Sequence, residues 1–161
     1  MRKLLSFLAL ALTVACLSGA PAFGAANGTD RPFTGSGSGT GVIGLVGGVP
    51  AGSTIDGTEN ASHLGLATFH TVNVFTGPTT TNTTATLVAA NGDTVTESGT
   101  STSVLVNPTT FAFTAVYTTT GGTGRFAGAS GSQTLTGTAT LDSPTSLSFH
   151  VSFTMTGTIT Y

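Results

Sequence analysis

Few side chains in this sequence can do chemistry, and a glutamate in its middle is the first to consider. Of the 161 residues, four are basic, six acidic and three histidine. Glu97 lies in the extended-looking stretch 93–102, which follows Asn91-Gly92, the favoured dipeptide of a two-residue type I′ hairpin. Folding 83–90 back on 93–102 about that turn sets Ala90 against Asp93, Val88 against Val95 and Thr86 against Glu97. Val88, Val95 and Glu97 then share a face. If that face is interior, Glu97 is a carboxyl group in apolar surroundings, with the raised pKa that a general acid or base requires. If a bulge intervenes, or the face is exterior, it is an ordinary solvated glutamate. Strand registers slip by one residue easily, and the sequence favours this second reading. His63 is the other candidate for acid–base work.

The remaining candidates are binding residues. Phe111, Phe113 and Tyr117 alternate on one face of a strand, as do Phe149 and Phe153 on another, and such a set lines an apolar cavity or fills one. Arg125, inside a glycine-rich turn, either pairs with an anion or lays its stem over the turn with its head in water. A metal centre is not expected. His63 and His70 fall on opposite faces of a regular strand, and His150 lies on a threonine face away from Phe149 and Phe153. No cofactor is expected either.

These residues need strands to hold them. Abundant Thr, Ser and Gly with scarce Lys and Glu disfavour helix interiors. The stretch 133–141 sets Thr134, Thr136, Thr138 and Thr140 against Leu135, Gly137, Ala139 and Leu141. The last stretch sets Phe149, Val151, Phe153 and Met155 against His150, Ser152, Thr154 and Thr156. Such period-two alternation between turn signals predicts an all-β meander. The expected fold is a small antiparallel β-barrel of about eight strands, closed by pairing the last strand with an early one. Strands are placed at 42–46, 62–75, 83–90, 93–102 and 109–119, besides the last two; 47–60 reads as a loop. The Thr ladders also fit an ice- or sugar-binding face, but a flat ladder needs an untwisted sheet.

The turn between 117 and 131 organises the second half. Gly121, Gly122, Gly124, Gly128 and Gly131 permit backbone that bulkier residues resist, and Phe126 among them can fold back as a plug over the core. The segment Gly121-Gly122-Thr123-Gly124-Arg125-Phe126-Ala127-Gly128-Ala129-Ser130-Gly131 resembles the signature of the allene oxide cyclase barrel superfamily. Ser62-His63-Leu64-Gly65 and Ala89-Ala90-Asn91-Gly92-Asp93 also fit the pattern, so the resemblance spans His63 to Tyr161. It is similar to the small exported bacterial members and, more distantly, to the dirigent proteins. Ala127 and Ser130 stand where dirigent proteins place pocket arginines, and Ala127 where plant cyclases place an acid. The resemblance therefore implies a β-barrel, and neither of those activities.

The N-terminus reads as a cleaved export signal over 1–24. Met1-Arg2-Lys3 is the charged start, 4–17 the apolar stretch, and Ala22-Phe23-Gly24 the small-x-small site, with cleavage near 24–26. Residues 25–41 are a Gly/Ser-rich leader or a weak edge strand, and 42–161 the barrel domain. A lipidated Cys16 is the rival reading. Processing removes the only cysteine and leaves Arg31 and Arg125 against six acids, a net charge of −4. That excludes a phosphate-neutralising surface, hence nucleic acid. The expectation is a secreted or periplasmic protein with no membrane association after processing. Its expected role is a non-catalytic binding module for a small apolar molecule, or a scaffold. The alternatives are a cyclase or isomerase using the cavity, with Glu97 and His63 as its acid–base residues, and a small outer-membrane barrel. The last is weakened by a chain with two Tyr and no Trp, too few for aromatic girdles.

Overall fold

The computed structural model describes residues 28–161, so the expected export signal and cleavage site fall outside the described residues. Eight antiparallel strands follow one another: β1 Arg31–Val46, β2 Val49–Ala61, β3 Gly65–Phe75, β4 Thr80–Ala89, β5 Thr94–Asn107, β6 Thr110–Gly122, β7 Ser130–Leu141 and β8 Ser148–Thr160. Each pairs with the next, and β8 pairs with β1, from Arg31 opposite Ile159 to Val42 opposite Ser148. The sheet is a closed barrel with no free edge. The only helical turn among the described residues is Gly124–Phe126.

Alternation dictates which side chains go inside. Along β8, Phe149, Val151, Phe153 and Met155 are buried, while His150, Ser152, Thr154 and Thr156 are exposed. On β7, Thr134, Thr136, Thr138 and Thr140 point outward. One end of the barrel is packed solid by Phe33, Leu64, Val95, Phe126 and Ile159, with Tyr161 against them.

Three sequence expectations change. First, 31–46 is one long strand paired on both sides, where a leader or weak edge strand and a short buried strand were expected. Gly35, Gly37, Gly39 and Gly41 face inward; the Phe153 and Phe149 rings use the room at Gly37 and Gly41, and the β2 backbone lies close at Gly35 and Gly39. A Cβ on Gly37 would stand 2.6 Å from Phe153 Cζ and 2.9 Å from Glu59 Cβ. Glycine weakens an isolated strand, but here it makes space for aromatic rings. Val42, Leu45 and Val46 are exposed instead of buried.

Second, only Gly47-Gly48 of the expected 47–60 loop is a turn. Both residues have positive φ (60° and 83°), and Val46 pairs with Val49 across them. This is the two-residue type I′ geometry. Pro50 is tolerated because it sits at the start of β2, beside a register shift at Gly44/Leu45.

Third, the turn at Asn91-Gly92 is a three-residue loop. Only Gly92 has positive φ (86°), and its N–H donates to Ala89 O at 2.9 Å. The extra residue moves the β4–β5 register by one: Leu87 opposes Val95, Thr86 opposes Thr96 and Ala85 opposes Glu97. Val88 is thereby turned outward.

Candidate functional site: a barrel cavity with two carboxyls at its floor

The mouth lies at the end where β1–β2, β3–β4, β5–β6 and β7–β8 connect. Behind it is a cavity of about 460 Å³. Its upper wall is Ile43, Pro50, Phe75, Phe111, Leu141 and Phe149, and its lower wall Phe69, Leu87, Phe113, Tyr117 and Phe153. The rim is apolar at the β1–β2 and β5–β6 connections, where Leu45, Val46, Val49, Val104, Leu105 and Val106 are exposed, and polar at the β3–β4 connection, where Thr79, Thr80 and Thr81 line the opening. The opposite end carries Arg31, Asp93 and Arg125 on a sealed surface.

The polar floor is built strand by strand. Inward positions of β2 run Ile55, Gly57, Glu59 and Ala61, so its alternation carries Glu59 into the cavity. On β5, Glu97 enters the cavity from the inward face it shares with the core residue Val95. Glu59 is 4% exposed and Glu97 6%. The Glu97 carboxylate accepts a hydrogen bond from Gln133 Nε2, on β7. Glu59 Oε1, Thr119 Oγ1 and Gln133 Oε1 are buried without a partner among the described residues.

Burial sets the protonation of this floor. Glu59 is pushed up to about 8, first by desolvation and then by the neighbouring Glu97 charge. Desolvation also raises Glu97, to about 7, against the pull of its Gln133 hydrogen bond. Near neutral pH the pair therefore retains protons that solvated carboxyls would have lost. Burial pushes the Tyr117 phenol up to about 12, with a Thr83 hydrogen bond opposing, so it stays neutral. Beside it runs a hydrogen-bonded chain across three strands. Thr83 Oγ1 donates to Asn73 Oδ1 at 2.7 Å, and Asn73 Nδ2 donates to Ser53 Oγ at 3.0 Å.

The structure brings together Glu97, Phe111, Phe113, Tyr117, Phe149 and Phe153, all cavity-lining. The solvated reading of Glu97 is overturned. A bulge does intervene, but the register shift moves Val88 out and leaves Glu97 in. His63 and Arg125 are not at the site. His63 occupies the β2–β3 turn with φ 71°, its Nε2 3.0 Å from Pro32 O and its ring edge-on to Tyr161. Arg125 donates from Nη2 to His63 O at 2.7 Å and lies over the Phe126 ring, 4.7 Å from its centroid. Both belong to the sealed end, because the turn that carries Arg125 folds over Phe126 and away from the mouth. Phe126 is fully buried, 4.9 Å from the Tyr161 ring centre. His70 and His150 face outward beside Asp56 and Asp142.

Sequence reasoning missed Glu59, Asn73 and Gln133. For Glu59 the signal was present in the parity it shares with Ile55 and Ala61, but reading 47–60 as a loop erased it.

No family model matches this chain, and no curated protein does. Among solved structures it is similar to a pterocarpan synthase dirigent protein. The two share 13% identity with a TM-score of 0.48, over 83% of this chain and 93% of that one. The barrel described here stands on its own strand pairing.

Proposed function

We propose that this chain is an exported carrier that holds a small, mainly apolar molecule in the barrel cavity. The observation that carries the reading is the 460 Å³ space itself, walled by phenylalanines and open at a mouth with exposed aliphatic side chains on two of its four connections. Ligand sites of this kind are concave, mostly apolar and furnished with a few convergent polar groups. The strand exteriors support a soluble body: the outward faces of β7 and β8 are threonine and serine, the reverse of a lipid-facing barrel. The charged start, apolar stretch and small-x-small site of 1–24 support export.

The test is a titration of the processed protein with a neutral, environment-sensitive naphthalene dye. Micromolar binding with a blue-shifted emission is expected. Ala139→Trp, which puts an indole into the cavity wall, removes that binding while the β-type circular dichroism persists. A folded wild type that does not bind the dye overturns the reading.

A second reading, a cyclase or isomerase acting on an apolar substrate, is favoured by one observation. Glu59 and Glu97 are two carboxyls buried at the floor of one cavity, both raised by desolvation, an arrangement in which a pair can share a proton for acid–base work. It requires turnover that Glu97→Gln abolishes while dye affinity is retained. Turnover that persists in that variant eliminates it.

A further inference from the structure

The floor of the cavity is an expensive design for a hydrocarbon binder. Two carboxyl groups are withdrawn from water in an apolar chamber, and Glu59 Oε1 has no hydrogen-bond donor among the described residues. Burying such groups unpaired is unfavourable, and leucine or methionine would fill the space without that penalty. Gln133 Oε1, an acceptor, and Thr119 Oγ1, a hydroxyl, are also buried without a partner among the described residues, so hydrogen-bonding capacity around the floor is unmet. No lining residue is cationic. Arg31 pairs with the Tyr161 ring and hydroxyl, and Arg125 with His63 O, both at the sealed end. A carboxylate-bearing ligand such as a fatty acid would therefore meet like charge with no counter-ion. An alcohol brings a single donor hydrogen.

We propose that the cavity selects an apolar molecule carrying a primary or secondary ammonium group, which docks against Glu59 and Glu97. This inference rests on the carrier reading above and narrows its ligand class. The ammonium supplies two or three N–H donors and a positive charge, and charge-assisted bonds of this type are about twice as strong as neutral ones. One carboxylate neutralises the cation, and the other keeps its proton as a hydrogen-bonded neighbour. Where both are protonated beforehand, the displaced carboxyl proton leaves to solvent and the ammonium proton stays on nitrogen. The groups facing this floor are Glu59 from β2, Glu97 from β5 and the neutral Tyr117 phenol from β6, with Gln133 of β7 donating to Glu97. His70 and His150 lie on the outer surface and take no part.

The probes are decylamine, decanol and decanoate, equal in chain length and different in head group, titrated calorimetrically into the processed protein. At pH 8 the amine is expected to bind about tenfold or more tightly than the alcohol, with decanoate weakest. Glu59→Gln and Glu97→Gln reduce amine affinity to near that of decanol and leave decanol itself within about twofold. If either variant fails to fold, the wild type still decides the matter. Amine binding at pH 7 releases protons, seen as a heat that changes with the buffer's ionisation enthalpy, and decanol binding does not. An amine that binds no better than the alcohol overturns this inference while the carrier reading survives. Failure of all three probes and of the naphthalene dye overturns both.

Discussion

Glu59 and Glu97 make the folded state a proton reservoir. Both have an ordinary carboxyl pKa once unfolded, so between about pH 4.5 and 8 the unfolded chain has lost protons that the native barrel keeps. The unfolded state binds fewer protons in that window, and stability therefore falls as pH rises through it. Each carboxyl contributes a slope approaching about 1.4 kcal/mol per pH unit, ending near 7 for Glu97 and near 8 for Glu59. Urea midpoints between pH 5 and 8.5 should show this decline, and Glu59→Gln should flatten its upper part. A midpoint unchanged across the range would contradict the burial described. Arg125 is a contrasting case. Its guanidinium is half exposed and 3.8 Å from Asp93, so Arg125→Ala should cost less than about 1 kcal/mol and leave dye affinity unchanged. Of these residues, Glu97 could be proposed from sequence because Val95 stands two residues before it. Its interior position could not be fixed, because one residue in a turn decides which face it takes.

Turn chemistry governs what was legible at the level of elements. The strands with strict apolar alternation, β6 and β8, could be read directly, since phenylalanines two apart have only one sensible face. β1 and β2 could not. Several of their inner positions are glycine, at 35, 37, 39, 41 and 57, and the rings that close over Gly37, Gly41 and Gly57 come from β3 and β8, far along the chain. Asn91-Gly92 carried a strong hairpin signal, yet it adopts a loop in which only the glycine is left-handed. Gly92→Ala should therefore cost about 1–2 kcal/mol, read as a shift in urea midpoint, with the β4–β5 register kept. The turn after β6 has a larger role. Phe126 is inserted beneath Tyr161 and the Arg125 guanidinium, and truncating it empties the sealed end. Phe126→Ala is expected to destabilise the barrel by about 3–5 kcal/mol without altering the cavity lining.

At the scale of the whole molecule, closure and polarity along the axis are the defining properties. Pairing β8 with β1 completes the backbone hydrogen bonding of both, so removing β8 should leave β1 and β7 as open edges and a chain that aggregates. Size-exclusion chromatography of a chain ending at 147 would show this. Barrel closure was legible because a strand running nearly to the last residue needs a neighbour. That the interior is partly hollow was not, since alternation reports which face is inside and says nothing of how full it is. The hollow is governed by the strand with the least to show. Along β1 the inner wall has almost no thickness at positions 35, 37, 39 and 41, and the rings of Phe149 and Phe153 lie back against bare backbone. Capacity is thus set by missing atoms. One methyl at position 37 would tip the Phe153 ring off its seat toward the lumen, and a larger substituent would tip it further. Substitution there presses on the Phe153 ring first and on Glu59 Cβ and the Thr58 carbonyl of β2 next, so the bare backbone of β1 sets how much room a guest has.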